Sequence, residues 1–228
     1  MSGADVVAIG GGHGLAVTLR AVQPWASHVT AVVSTADDGG STGRLRESWD
    51  VPALGDVRRC LAALADPADV WTRVLERRFD AGELAGHSVG NLVLLALLEE
   101  LGDLQSACDA VARGFRIDRR RARVVPITDD AIVLHGRLQD GTDITGQVAV
   151  AESTGVAEVW VEPSATAASR LAIEAIGRAS LVVLGPGSLY TSVLAATVVG
   201  DIRRALHDTP ARTAYVANLR ADQAEAKG

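Results

Sequence analysis

Three carboxylates and three glycine-rich loops carry the residues of this chain that could do chemistry. Asp37 and Asp38 stand in Thr35-Ala36-Asp37-Asp38-Gly39-Gly40-Ser41-Thr42-Gly43, and Asp56 follows Leu54-Gly55. Together they could gather around one Mg²⁺, which takes one or two carboxylates plus water and substrate phosphate. Asp38 and Asp56 are the favoured metal pair, because the glycines beside Asp38 should leave its carboxylate uncovered. The alternative for Asp56, equally weighted, is the N-cap of a helix carrying Val57, Leu61 and Leu64.

Gly10-Gly11-Gly12-His13-Gly14 holds four glycines in five residues, more than a tight turn needs. Such a loop lets backbone amides approach a phosphate at a helix N-terminus, where unpaired N–H groups and the macrodipole favour anions. It is not the dinucleotide fingerprint, since Leu15 stands where the third glycine would fall. Gly185-Pro186-Gly187-Ser188 repeats the loop late in the chain and suits the second half of a diphosphate or two-part ligand.

Gly86-His87-Ser88-Val89-Gly90-Asn91 matches the G-x-S-x-G pattern of a hydrolase nucleophile elbow, but Phe79 to Ala85 is no apolar strand leading into it. Three readings therefore rank in order: a helix start offering amides, a hydroxyl and an imidazole to an anion; a plain cap at Ser88; and a nucleophile.

These residues need a scaffold that aligns them. Val6-Val7-Ala8-Ile9, Val29-Thr30-Ala31-Val32-Val33 and Leu181-Val182-Val183-Leu184 each run straight into one of the polar loops. Strand, loop and helix in this order make an α/β protein with a mostly parallel sheet, whose ligands bind outside the carboxyl ends of the strands. Leu15, Leu19 and Val22 mark one helix face. The stretch Ser88 to Leu101, apolar around most of its circumference, predicts a central helix covered on both sides. Asp103 opens a further helix that Gly114 should end. From about residue 124 to 160 the period changes to short strands and turns, a β-rich insertion. Helical patterning resumes at 167–178, and a last strand is expected at Ala214-Tyr215-Val216-Ala217, ending at Asn218.

Composition narrows the ligand. The 228 residues suffice for a single domain, are 48% apolar and 22% charged, and carry a net charge of −6. That balance argues against nucleic acid or an anionic membrane as partner. The longest apolar run, Leu92 to Leu98, is far too short to span a bilayer, and no export signal precedes the first strand. Lys227 is the single lysine, which excludes a P-loop or a Schiff base; phosphate must be held by arginine, amides, hydroxyls or a metal. Cys60 and Cys108, without C-x-x-C spacing, read as free buried thiols of a reducing cytosol.

The ordered set GGGHGL at 10–15, TADDGGSTGRLR at 35–46, GDVRRCLAAL at 55–64, GHSVGNL at 86–92, PITDD at 126–130 and GPGSLYTS at 185–192 resembles the gluconeogenesis factor family (YvcK). That family lies within the CofD-like superfamily, which includes 2-phospho-L-lactate transferases. The resemblance spans nearly the whole chain. It implies a Rossmann-like three-layer αβα fold and a cytoplasmic protein that binds a UDP-sugar such as UDP-N-acetylglucosamine and influences cell-wall growth and cell shape, with a homodimer among the assemblies it admits. The alternative it carries is a Mg²⁺-dependent transferase moving a phospholactyl-type group from a nucleotide diphosphate donor to a deazaflavin. The residues it places at the ligand are Gly11, Gly12, His13, Gly14, Asp37, Asp38, Gly39, Ser41, Asp56, Arg59, His87, Ser88, Asn91, Gly185, Gly187, Ser188 and Asn218. Members often carry Thr at the place of His13 and Asn at that of Arg59, and the transferase branch tends to carry another acid near Leu54. Members also continue beyond Asn218 through a further loop and helices, so the segment from Arg220 to Gly228 reads as the start of that loop, cut short.

Overall fold

The computed structural model describes residues 3–220. Five strands, β1 (Asp5–Gly10), β2 (His28–Val33), β3 (Ala122–Pro126), β7 (Leu181–Leu184) and β8 (Arg212–Tyr215), form one sheet in the order β3-β2-β1-β7-β8, every neighbouring pair parallel. A second, antiparallel sheet has the order β5-β4-β6, from β4 (Val133–Leu138), β5 (Asp143–Thr145) and β6 (Val156–Glu162).

The helices are α1 (Gly12–Val22), α2 (Gly40–Arg46), α3 (Gly55–Leu64), α4 (Val70–Glu76), α5 (Val89–Leu101), α6 (Leu104–Gly114), α7 (Gln147–Glu152), α8 (Arg170–Arg178), α9 (Ala195–Thr197) and α10 (Gly200–Asp208). A six-residue π-helical turn, Leu189–Leu194, precedes α9.

Alternation along the strands builds two cores. Val6, Ala8, Ala31 and Val33 face one layer, packed with Leu15 and Leu19 of α1, Val57 and Leu61 of α3, and Leu104 and Val111 of α6. Val7, Ile9 and Val32 face the other, with Ala172 and Ile176 of α8, Ile202 of α10, and Leu134, Val159 and Val161 of the small sheet. Buried on both faces, β1 and β2 read as continuous apolar runs, as parallel strands do. Strand order and double covering make this a Rossmann-like three-layer αβα fold.

Four expectations change. The β-rich insertion begins later than residue 124: β3 joins the main sheet through Val33↔Pro126, and the antiparallel unit starts at Val133. α5 is covered on one side only. Leu94 and Leu95 are buried while Val93 and Leu101 are 39% and 43% exposed, because the neighbours α4, α3 and α6 flank a single face of it. The last strand ends at Tyr215, two residues before the expected Ala217. Helix α3 begins with Leu54 in the capping position and Asp56 inside the first turn, so Asp56 is not the N-cap. The segment from 221 onward lies outside the described residues.

Candidate functional site

Parallel pairing brings the polar loops together. Ile9 is in register with Val32 on one side and Leu184 on the other, so the loops after β1, β2 and β7 leave the same sheet edge side by side. Two glycines let them close up. A Cβ at Gly11 would collide with the Asp56 carboxylate, and one at Gly14 with the Pro186 carbonyl oxygen. The first loop thus abuts α3 on one side and the third loop on the other, approaches that only glycine allows.

A cavity of about 240 Å³ opens beside the second loop, lined by Asp37, Gly39, Ser41, Thr42, Arg58, Arg59, Arg78 and Asn91. Its acid is Asp37. Burial, then the charge of Asp56, pushes the Asp37 carboxyl above the ordinary aspartate range, opposed by the Gly39 N–H and by Arg59. Asp56 accepts a hydrogen bond from Arg59 at 2.7 Å across one helical turn. A raised carboxyl beside a second carboxylate and a guanidinium is the kind of perturbation that gathers at functional sites.

The cavity wall is a connected network between α2 and α5. Ser41 Oγ lies 3.3 Å from His87 Nδ1, and it accepts from the Ser88 N–H and from Asn91 Nδ2, each at 3.3 Å. Asn91 Nδ2 also reaches Thr42 Oγ1, and Asn91 Oδ1 accepts from Arg58 Nε at 3.1 Å. Burial, then Arg44 and Arg78, holds the His87 pKa down, which favours the neutral ring. Arg58 is 5% exposed and is paired with Glu76 at 2.8 Å, as a buried charge must be.

Ser88 is the N-cap of α5, its Oγ accepting from the Asn91 N–H, and it is buried. The isolated bridge between Arg78 and Ser88 is all the β-structure before it, so the strand of an elbow is missing. In this structure Ser88 is a cap within the wall of the crevice.

Several expected ligand residues have other occupations. Asp38 is not uncovered: both its oxygens accept backbone hydrogen bonds from the start of α7, Oδ2 from Gln147 and Oδ1 from Val148, each at 2.9 Å. The neighbour whose charge acts on Asp37 most is Asp56, so the pair at the crevice is Asp37 with Asp56. Both Asp38 oxygens are aimed at the α7 amides, so Asp38 is held to that helix and is not presented as an uncovered partner of Asp56. Among the described residues no group of three or more His, Cys, Asp or Glu is placed to hold a metal. Asn218 clamps Gly187 at two points, accepting from its N–H at 3.3 Å and donating to its carbonyl at 2.9 Å. Gly185 accepts a bond from Thr18, and the Ser188 hydroxyl caps the π-helical turn. Gly12 and His13 open α1, with His13 exposed.

Five lining residues were not expected: Gly40, Thr42, Gly55, Arg58 and Arg78. Arg58 left a signal. Leu54 and Leu61 flank it at i−4 and i+3, so it falls on the buried stripe of α3, where a charge needs partners. Arg78 left none, since its position depends on the turn from α4 back to Ser88.

Comparison with known proteins agrees with this architecture. A model of the family described as 2-phospho-L-lactate transferase CofD matches residues 6–228. A gluconeogenesis factor of Halalkalibacterium halodurans is 38% identical over 98% of this chain and 69% of its own length. A putative gluconeogenesis factor of Mycobacterium tuberculosis is 43% identical over 98% of the chain and 68% of that protein. Another from Nostoc, 40% identical, is covered over only 49% of its length. The crystal structure of a UPF0052 family member from Bacillus halodurans superposes with a TM-score of 0.91 at 38% identity, over 96% of this chain and 70% of that one. Matched along nearly its whole length by that family model and by these relatives, the chain belongs to the gluconeogenesis factor family of the CofD-like superfamily.

Proposed function

We propose that the protein binds a nucleotide sugar of the UDP-N-acetylglucosamine kind in the crevice outside β1, β2 and β7, and acts as a cytoplasmic regulator of cell-wall growth and cell shape linked to gluconeogenic growth. The observation that carries this reading is the cavity where Asp37 meets Arg58, Arg59, Arg78 and the Ser41–Asn91 network. In a chain whose single lysine is Lys227, it offers guanidinium groups and hydroxyls for a diphosphate and the Asp37 carboxyl for sugar or base hydroxyls.

Calorimetry with UDP-N-acetylglucosamine tests it. The expected result is saturable binding that weakens at least tenfold in Arg59→Ala. Absence of binding at millimolar ligand by a folded sample would overturn it.

A second reading joins the family description, 2-phospho-L-lactate transferase, to what the sequence resemblance implies: a transferase acting on a nucleotide diphosphate donor and a deazaflavin acceptor. Release of nucleoside monophosphate from such a donor, dependent on added Mg²⁺ and on the acceptor, would favour it over the regulator.

A further inference from the structure

The hydrogens in the crevice wall can be placed in only one way. Arg58 sets the first of them. A guanidinium can only donate, so the Asn91 atom that meets Arg58 Nε at 3.1 Å is the carbonyl oxygen, and the Asn91 amide nitrogen is turned toward Ser41. Arg58 is itself fixed, since it is 5% exposed and paired with Glu76 at 2.8 Å.

Ser41 comes next. Its Oγ receives the Asn91 amide and the Ser88 N–H, each at 3.3 Å. A hydroxyl has two acceptor positions and one proton. Both positions are filled, so the contact with His87 Nδ1, also at 3.3 Å, is made by the Ser41 proton. His87 Nδ1 is therefore an acceptor and carries no hydrogen. The ring hydrogen sits on Nε2, which makes no hydrogen bond among the described residues.

A protonated ring does not fit this chain. Its Nδ1–H would point at an oxygen with no acceptor position left, and one of the Ser41 contacts would have to break. The charges around the ring oppose protonation as well: Arg44 from α2 and Arg78 from the turn before α5, held there by their bonds to the Ala85 and Gly86 carbonyls. Among the described residues no carboxylate acts on the ring. Ser41, Arg58 and Asn91 all line the cavity, so breaking their chain loosens the surface that meets a ligand.

We infer that Arg58 and Asn91 are positioning residues which, through Ser41, fix His87 as the Nε2–H tautomer, and that the crevice takes its ligand only while that ring is neutral. The proposal rests on the nucleotide-sugar reading for its ligand, and on the hydrogen bonds alone for the ring. The expected sign is opposite to that of a simple phosphate site, where acidification would add a cation and strengthen a diphosphate. Here affinity falls on acidification, by about tenfold for each pH unit below the folded His87 pKa, which lies under the ordinary histidine value of 6.5. Binding in that range releases a proton.

Nitrogen-15 NMR of the imidazole rings, with His87 assigned by its loss in His87→Gln, tests the chain without a ligand. We expect His87 at pH 8 to carry its hydrogen on Nε2. Asn91→Asp keeps the shape and reverses the order: the new carboxylate takes the Ser41 proton, and Ser41 then accepts from Nδ1. Hydrogen should move to Nδ1, with the His87 midpoint raised by about one pH unit or more. A native ring protonated on Nδ1 at pH 8 overturns the proposal, as does a tautomer and midpoint indifferent to Asn91→Asp. Calorimetry with UDP-N-acetylglucosamine from pH 8 to pH 5 should show the loss of affinity, and a rise on acidification overturns the proposal. Failure to bind at any pH overturns the nucleotide-sugar reading alone, and the ring signatures still decide the chain.

Discussion

The carboxylate of Asp38 accepts the backbone N–H of Gln147 at 2.9 Å, across 109 residues of chain. With the Val148 N–H on its other oxygen, Asp38 ties the loop after β2 to the first turn of α7 and so to the small antiparallel sheet. Its neighbour Asp37 turns the other way, into the cavity. Adjacent acids thus divide the work: Asp38 fixes the loop, and Asp37 is presented by it.

Asp38→Ala should therefore lower stability. Loss of a capping carboxylate costs about 0.5–2 kcal/mol, and two orphaned amides place this case toward the upper end. Thermal unfolding measures the loss. Limited proteolysis should find the first new cut between β4 and β6.

Asp37→Asn should do the opposite at neutral pH. The folded Asp37 pKa is raised, so folding favours the protonated form. That contribution is fully present below the ordinary aspartate pKa of about 3.8 and is lost as pH rises through the folded pKa. At pH 7 the charged carboxyl destabilises the fold, and the variant should gain about 0.5–2 kcal/mol, the usual range for relieving a functional strain. Midpoints measured from pH 7 down to pH 3.5 should show the gain shrinking on acidification. Nucleotide-sugar affinity should fall by more than about 1 kcal/mol through the lost charge-assisted hydrogen bond.

Gly14→Ala should destabilise by about 1–3 kcal/mol, the range for overpacking, because the new methyl meets the Pro186 carbonyl. Denaturant melts give the loss. If the three loops share one ligand, affinity falls as well, although Gly14 itself offers no side chain.

Ser88 should resist fluorophosphonate, labelling no faster than Ser88→Ala. It is buried and bonded to the Asn91 N–H. The same variant should lose about 1 kcal/mol as a missing cap. Rapid labelling that vanishes in the variant would revive the nucleophile.

Cys60 and Cys108 should be silent to a disulfide reagent in the native protein and react together on unfolding. Both are free and buried, and burial raises both thiol pKa values well above the usual range.

The parallel sheet was legible because β1, β2 and β7 are buried on both faces, which leaves largely apolar runs, two ending at glycine and that of β2 at the polar loop from Ser34. The crevice was legible for the same reason, since each run points to its loop. What could not be read was direction. Asp37 and Asp38 look alike in sequence, and the partner that takes Asp38 away lies at the far side of the insertion. Asp56 resembled a cap because capping is local, whereas it pairs with Arg59 of its own helix and faces the Gly11 backbone and the Asp37 charge from other elements. α5 misled by composition: its apolar circumference is greater than its neighbours cover.

The clamp between Asn218 and Gly187 has a consequence in time. Chains emerge from the ribosome N-terminus first, and domains begin to fold in that order. The loops after β1 and β2 are made early, and β7 follows with its own loop. That third loop acquires its two-point anchor only when residue 218 arrives, 31 residues after the glycine it holds. The third wall of the crevice is therefore secured only after residue 218 is made, and a nascent chain can present the first two walls well before it.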